Sequence, residues 1–134
     1  MKQELVVAGK RKTAIARARI REGTGNVRID HRPYLFLPFI RRMMIEEPLT
    51  LAREHLETLN FDIEVSIKGG GPESRIEAAR LAIAKAIVAF SKSEKLKKAY
   101  LAYDRNLLIA DVRRKETYKP GDSKARAKRQ KSYR

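Results

Sequence analysis

The sequence has 134 residues, no cysteine and a formal net charge of +15. This length fits one domain with a single modest hydrophobic core. Without cysteine, the chain forms no disulfide and offers no thiolate to a metal ion. No segment has the ~20 apolar residues that a membrane-spanning helix needs, and the N-terminal residues lack the apolar run of a signal peptide. We therefore expect a soluble, intracellular protein.

The first part of the chain predicts three strands. Residues 5–8 are a short apolar run, and residues 13–21 and 27–30 alternate between apolar and mostly basic side chains. Period-two alternation is typical of half-buried strands, although the alanines of the second segment also allow a helix. Residues 22–26 contain two glycines and predict a hairpin turn.

Read as a strand, residues 13–21 place three arginines in a row on one face, about 7 Å apart. These are Arg17, Arg19 and Arg21. Phosphates along a nucleic-acid strand have a comparable spacing, so the row could pair with several of them at once. The alternative is an ordinary solvated sheet face.

Prolines mark the predicted helices of the middle segment. A short helix opens at Pro33 and restarts at Pro38, and a further helix starts at Pro48 and ends at Asn60. Residues 61–68 then alternate strictly, which predicts a further strand.

Three glycines at residues 69–71 turn the chain into a helix predicted over residues 75–90, with Ser74 as N-cap and Glu77 completing a capping box. The turn also suggests a nucleotide-binding loop, but it lacks the Lys-Ser/Thr of a P-loop, and Glu73 would repel a phosphate. A tight strand-to-helix turn is the simpler interpretation. The apolar stripe of a last helix follows: Leu96, Ala99, Tyr100 and Tyr103.

We find no catalytic constellation and no metal site. The only histidines, His31 and His55, each stand alone, and Glu46 and Glu47 are adjacent, so on a helix they point in different directions. We therefore expect no enzymatic activity, no metal and no cofactor.

The C-terminal segment, residues 112–134, holds ten basic and two acidic side chains and one large aliphatic residue, Val112. Such a segment buries too little apolar surface to offset the entropy of ordering, so we expect it to be disordered in water. Fully extended, it could reach roughly 75 Å, at about 3.3 Å per residue. Basic segments this dense usually meet nucleic acid; the alternative is a solvated terminus that keeps the protein soluble.

The sign of the charge is also segregated along the chain. Residues 1–45 carry a net +8, whereas residues 46–77 carry a net −5. This arrangement is typical of a protein whose basic segments face an anionic partner and whose acidic segment faces water or another protein.

Three groups of residues form recognisable motifs. They are Gly9-Lys10-Arg11-Lys12-Thr13-Ala14 with Ala16-Arg17, Gly23 and Gly25; Ile67-Lys68-Gly69-Gly70-Gly71 with Ala79-Arg80; and Asp111, Arg113, Glu116, Gly121, Lys124-Ala125-Arg126, Gln130, Ser132 and Arg134. Together they resemble the small-subunit ribosomal protein S-nine family nearly end to end. The Ser-Tyr-Arg ending resembles its archaeal branch.

The resemblance implies an α+β fold with a small, mostly antiparallel four-stranded sheet, in the order β-β-β-α-β-α, similar to the second domain of ribosomal protein S-five. It implies a globular body over residues 1–111 and an extended basic tail over residues 112–134. The implied function is a structural constituent of the small-subunit head in the cytoplasmic ribosome. The implied partners are small-subunit (16S-type) rRNA, peptidyl-site tRNA and neighbouring head proteins, with no membrane and no small-molecule substrate.

The resemblance assigns rRNA contacts to Lys10, Arg11, Lys12, Arg17, Lys124, Arg126, Lys128 and Arg129, and tRNA contacts to Lys131, Ser132, Tyr133 and Arg134. To the rRNA set we add two residues of the arginine row and four basic residues of the tail: Arg19, Arg21, Arg113, Arg114, Lys115 and Lys119. The alternative function is an architectural chromosomal protein that binds duplex DNA, which would need an apolar wedge or a groove-shaped element.

Overall fold

The computed structural model describes residues 3–128, 132 and 133, and it confirms the α+β class. The described residues form the strands β1 (Glu4–Arg11), β2 (Ala14–Glu22), β3 (Val27–Ile29), β4 (Arg32–Pro33) and β5 (Phe61–Lys68). They also form the helices α1 (Phe39–His55), α2 (Pro72–Ser91) and α3 (Glu94–Tyr103), with 3-10 turns at Tyr34–Phe36 and Arg105–Leu107. The strands make one sheet in the order β1-β2-β5-β3-β4.

The alternating residues of β2 and β5 behave as the period-two pattern predicts. Every second side chain is buried: Ala14, Ala16, Ala18 and Ile20 on β2, and Phe61, Ile63, Val65 and Ile67 on β5. The strands pair antiparallel with these residues opposite one another, so they share the inner face of the sheet. The residues between them share the outer face, and the helical alternative for this segment is wrong.

The sheet differs from the predicted four-stranded one in two respects. Asp30 and His31 form a two-residue turn with positive φ, and β4 pairs back antiparallel onto β3. Because β4 is only two residues long, a periodicity argument cannot detect it. In addition, β3 pairs parallel with β5, because the crossover through α1 returns the chain in the same direction.

Small residues allow α2 to lie close against the inner face of the sheet, where it contacts β1, β2 and β5. A Cβ atom added at Gly9 of β1 would collide with the carbonyl oxygen of Ala78 on α2. The three alanines of β2 present only methyl groups to the same helix. Because α2 occupies this face, the charged residues of β2 are left on the opposite, exposed face.

The helix predicted to start at Pro48 in fact starts earlier. The short helix predicted at Pro33 is the 3-10 turn Tyr34–Phe36, and the restart predicted at Pro38 is confirmed, because α1 begins at Phe39 with Pro38 as its N-cap. No separate helix starts at Pro48: α1 runs through it and ends at His55 rather than at Asn60. Pro48 lies on the buried side of α1, where packing outweighs the loss of one helical hydrogen bond.

The predicted capping box before α2 is also wrong. The helix begins at Pro72, with Gly71 as its N-cap, so Ser74 lies within the first turn. Proline is well suited to the first helical position because its fixed φ is already helical and its missing N–H needs no partner there. None of the helices in the described part of the chain is long and apolar enough to cross a membrane.

The last helix, α3, packs against α1 through a buried tyrosine. Ser93 caps α3 by accepting a hydrogen bond from the backbone N–H of Leu96. The hydroxyl of Tyr100 donates a 2.7 Å hydrogen bond to the carbonyl oxygen of Pro48. Burial raises the pKa of Tyr100, so its hydroxyl stays protonated and remains a donor.

We predict that Tyr100→Phe lowers the free energy of unfolding by about 1–3 kcal/mol, because it leaves a buried carbonyl oxygen without its donor. Tyr103→Phe is the matched control, since the Tyr103 side chain is exposed. The control should shift stability by less than about 0.5 kcal/mol. Urea denaturation measures both values, and equal stabilities of the two variants would contradict a role for this hydrogen bond.

Candidate nucleic-acid interface

The three arginines of the predicted row lie side by side on the outer face of β2. The side chains of Arg17, Arg19 and Arg21 all point away from α2 and are exposed. This placement confirms that the row exists as a structural feature. Its three members nevertheless have different electrostatic surroundings, because the neighbouring strands place different residues beside each one.

Acidic residues surround the end of the row at Arg19 and Arg21. The Nε atom of Arg19 lies 3.0 Å from Oε1 of Glu4, and β5 places Glu64 directly opposite Arg19. Arg21 lies opposite Asp62. The pKa of Asp62 is lowered, chiefly by the hydrogen bond from the backbone N–H of Asn26 and with a smaller contribution from the charge of Arg21. This end of the outer face is therefore nearly charge-balanced.

The other end of the outer face carries only cations. Arg17 lies between Ala8 on β1 and Ser66 on β5, neither of which is charged. Two residues before Arg17 on β2, Ile15 lies between Lys10 on β1 and Lys68 on β5. We call the following residues the cationic end: Lys10, Lys12, Arg17 and Lys68. None of these four forms an ion pair with any residue in the described part of the chain.

Lys68 belongs to the cationic end but is not among the rRNA contacts predicted from the sequence. The alternation of residues 61–68 already places Lys68 on the outer face. What that pattern does not contain is the register between β2 and β5, which brings Lys68 beside Ile15, two residues from Arg17. Without the pairing partner of a strand, a sequence cannot show which exposed lysines cluster.

Arg11 has a different environment from its neighbours Lys10 and Lys12. Its guanidinium forms ion pairs with Glu77 on α2 and, at 3.0 Å, with Asp111 after the last 3-10 turn. Only 14% of the Arg11 side chain is exposed. Arg11 therefore links the start of the C-terminal segment to the body of the protein. Its guanidinium, which the resemblance assigns to an rRNA phosphate, is already paired with two carboxylates.

Asp111 is held from a second side by Arg113. The Nη2 atom of Arg113 lies 2.7 Å from Oδ2 of Asp111, and the Arg113 backbone N–H donates to Oδ1. Hydrogen bonds from the side chain and backbone of Arg113, with the nearby charge of Arg11, hold the pKa of Asp111 well below its usual range. The carboxylate therefore stays ionised and links Arg11 to the base of the tail.

The base of the tail and the β1–β2 turn enclose an open groove of about 650 Å³. Its lining residues are Arg11, Lys12, Thr13, Arg113, Arg114 and Lys115. The groove adjoins the cationic end through Lys12 and has no acidic residue in its lining. The ammonium group of Lys115 lies 4.3 Å from the centroid of the Tyr118 ring. Lys12 of the body and Arg114 and Lys115 of the tail thus line the same groove.

The described part of the tail contains no helix or strand, but it is not uniformly extended. A turn at residues 119–122 is closed by the backbone N–H of Asp122 and the carbonyl oxygen of Lys119. Nε of Arg126 lies 2.9 Å from Oε2 of Glu116, and Ala125 is buried. The structure therefore has a folded loop where the sequence predicts an extended chain.

Most of the tail residues nominated as nucleic-acid ligands are exposed. These are Arg113, Arg114, Lys115, Lys119, Lys124, Arg126, Lys128, Ser132 and Tyr133. Three further nominated residues lie outside the described residues: Arg129, Lys131 and Arg134. Among the residues that the structure describes, no group of three His, Asp or Glu side chains is placed to hold a metal ion.

We predict that Asp111→Asn lowers stability in a pH-dependent way. The pKa of Asp111 is lowered by folding, so its ion pairs contribute stability above its ordinary value of 3.8. That contribution is lost as the pH falls through the lower, folded-state value. The wild type should therefore be more stable than the variant near neutral pH, and the difference should shrink in acid.

Urea unfolding at a series of pH values measures the difference. Asp122→Asn is the matched control, because Asp122 is a tail aspartate with no ion pair to the other described residues. A constant difference between wild type and Asp111→Asn at all pH values would contradict the assignment.

Comparison with known proteins identifies the family of this chain. The family model described as ribosomal protein S9/S16 matches residues 9–134. The chain is 49% identical over 129 residues to small ribosomal subunit protein uS9 of Methanococcus maripaludis strain C7, covering 94% of this chain and 95% of the relative. It is 48% identical over 129 residues, with the same coverage, to the uS9 protein of Methanococcus vannielii. The chain therefore belongs to the ribosomal protein S9/S16 family and is of the archaeal type.

Proposed function

We propose that this protein is a non-catalytic structural component of the small ribosomal subunit, in its head, and that it binds small-subunit rRNA. Family membership and the names of its relatives support the ribosomal role. The observation that carries the rRNA proposal is the set of cations at the cationic end, which have no ion pairs within the described part of the chain, together with the groove that the body and the tail line jointly. The protein would act in cytoplasmic ribosomes, beside other proteins of the head.

The physical basis of binding is charge neutralisation. Each Lys or Arg that pairs with a phosphate releases condensed counterions, and this release provides much of the binding free energy. The cationic end suits this role because its side chains form no ion pair with the other described residues. Arg19 and Arg21 would contribute less, since binding a phosphate there requires displacing Glu4 or Asp62 or accepting their repulsion.

The proposed division of the chain places the rRNA-binding body in residues 1–111 and the basic tail in residues 112–134. The Arg11–Asp111 ion pair supports a boundary there, because it fixes the point at which the tail leaves the body. We further propose that the tail passes through rRNA and that Lys131, Ser132, Tyr133 and Arg134 reach peptidyl-site tRNA. The resemblance of the ending to the family supports this, and the exposed Tyr133 ring is suited to stacking on a base or ribose.

The duplex-DNA alternative has weaker support. An architectural DNA-binding protein needs an apolar wedge within its basic surface. Among the described residues, the large apolar side chains exposed near the cationic end stand singly on the sheet: Ile15, flanked by Lys10 and Lys68, and Val6, which lines a cavity with Arg17. Family membership adds weight to RNA as the partner.

We predict that Arg17→Ala combined with Lys68→Ala weakens binding to an rRNA fragment from the small-subunit head and reduces its salt dependence. At 0.7–0.9 per lost phosphate contact, the slope of log affinity against log salt should become shallower by about 1.5. Both side chains are exposed, so the variant should fold normally. Filter binding at several salt concentrations measures the slope.

Arg19→Ala combined with Arg21→Ala is the matched control for this experiment. It removes the same number of charges from the same face of the sheet, but from its charge-balanced end. Its slope should change by much less. Equal changes for the two double variants would show that total charge, and not its local balance, determines binding.

A second prediction concerns the last four residues. Deleting residues 131–134 should leave assembly of the small subunit nearly unchanged but weaken binding of tRNA at the peptidyl site, because the tail would no longer reach the tRNA. Lys119→Ala combined with Lys124→Ala is the control, since it removes two charges from the middle of the same tail. Purified subunits carrying either variant are compared in a tRNA-binding titration; equal tRNA affinities would defeat the tRNA assignment.

A further inference from the structure

Large apolar side chains lie exposed where the chain enters α1. Phe36, Phe39 and Ile40 are 80%, 65% and 71% exposed, respectively. With two neighbours they form what we call the apolar face: Leu35, Phe36, Phe39, Ile40 and Met43. Tyr34 and Leu37, from the same segment, pack against the core. Tyr34 and Leu37 therefore anchor this segment to the core, while the five side chains of the apolar face remain exposed to water.

The apolar face adjoins an open groove of about 520 Å³. Seven of its eleven lining residues are apolar, among them Ile29, Phe36 and Ile76, and the other four are charged: Asp30, Arg32, Arg41 and Arg75. Arg41 is paired with Glu73, and Arg75 is paired with Asp30. Arg32 is exposed and has no ion pair within residues 3–128, 132 and 133. The site thus combines an apolar groove with one uncommitted cation.

RNA is a poor match for this surface. Residues 32–58, which contain the apolar face, hold four basic and four acidic side chains, so this segment has no net charge in a chain of +15. Phosphates gain little there. Phe36 and Phe39 offer rings on which a base can stack, but the other three members of the face, Leu35, Ile40 and Met43, do not.

Two other occupants of the groove, a second copy of this chain and the chain's own tail, are also disfavoured. A second copy would bring another +15 and would be repelled at long range. The tail has Val112 as its single large aliphatic residue, so it does not supply the apolar groups that the face and the groove would bury. A second copy would bring an apolar face of its own, but the repulsion between two chains of +15 opposes that pairing.

We propose that the apolar face and its groove bind another protein of the small ribosomal subunit, one that places an apolar side chain in the groove beside Phe36 and a carboxylate against Arg32. Aromatic and aliphatic anchors that fill a groove, with a charged pair at the rim, are the usual composition of a protein–protein hot spot. The proposal rests on membership of a ribosomal family and is independent of the roles of the cationic end and the tail.

The first test replaces Phe36 with a photoreactive phenylalanine analogue in the full-length chain, which is then assembled into small subunits. We expect one resident small-subunit protein to be cross-linked, with its contact peptide containing an acidic residue. The same analogue at Tyr103, on α3 and also exposed, is the matched control and should not cross-link to that peptide. Cross-links to rRNA, to a second copy, or to nothing would overturn the proposal.

The second test measures incorporation. Phe36→Ser combined with Ile40→Ser should reduce incorporation into subunits, in competition with wild type, by at least about fivefold, since truncating hot-spot side chains commonly costs this much. Arg32→Glu should also reduce it, by repelling the carboxylate. Tyr103→Ser is the control and should compete equally with wild type.

The same variants separate this proposal from the rRNA-binding function. The exposed serine substitutions should leave both the unfolding midpoint and the salt slope of rRNA binding unchanged. Normal incorporation of the double variant would overturn the protein-docking proposal, and so would a loss of isolated rRNA affinity. The salt slope of the Arg17→Ala, Lys68→Ala double variant tests only the proposed rRNA-binding surface. Either proposal can therefore fail without affecting the test of the other.

Discussion

The close packing of α2 against an alanine-lined sheet is the constraint on which the functional surfaces depend. Gly9 and the small residues of β2 bring α2 close to the inner face, and any larger side chain at Gly9 would meet helix backbone. Every second residue of β2 is thereby fixed on the outer face. The arginines of β2 are exposed because the inner positions are committed to this packing, and the tail is anchored beside them through Arg11.

Strand register then decides which exposed cations remain available to a polyanion. Arg17 and Arg19 are two residues apart on one face, yet among the described residues only Arg19 has a carboxylate within ion-pairing distance. A count of basic residues would treat them alike. The resulting surface has a charge-balanced end and a cationic end, with the cationic end continuing into the groove at the base of the tail. The apolar face lies in a segment without net charge, so the apolar and the cationic surfaces belong to different segments of the chain.

Local patterns predicted much of this, and long-range contacts account for the rest. The alternation of β2 and β5 contains enough information to assign inner and outer faces, since only the period of each strand is needed. The ion pairs of Arg11 with Glu77 and Asp111 join residues far apart in sequence, so no local sequence pattern predicts them. Pro48 within α1 likewise reflects tertiary burial that outweighs a local helix-breaking preference. The family resemblance supplied the fold class and the expected partners, and it assigned an rRNA contact to Arg17 but not to Arg19. The physical difference between these two arginines comes from the strand register.

The central claim is that the cationic end contacts rRNA phosphates while the charge-balanced end does not. An electron cryomicroscopy map of an assembled small subunit containing this chain tests it most directly. The account predicts phosphate oxygens within about 4 Å of the charged groups of Lys10, Arg17 and Lys68, the usual limit for an ion pair. It also predicts that Arg19 remains paired with Glu4. A map in which Lys10, Arg17 and Lys68 face solvent, with phosphates at Arg19 and Arg21 instead, would contradict it.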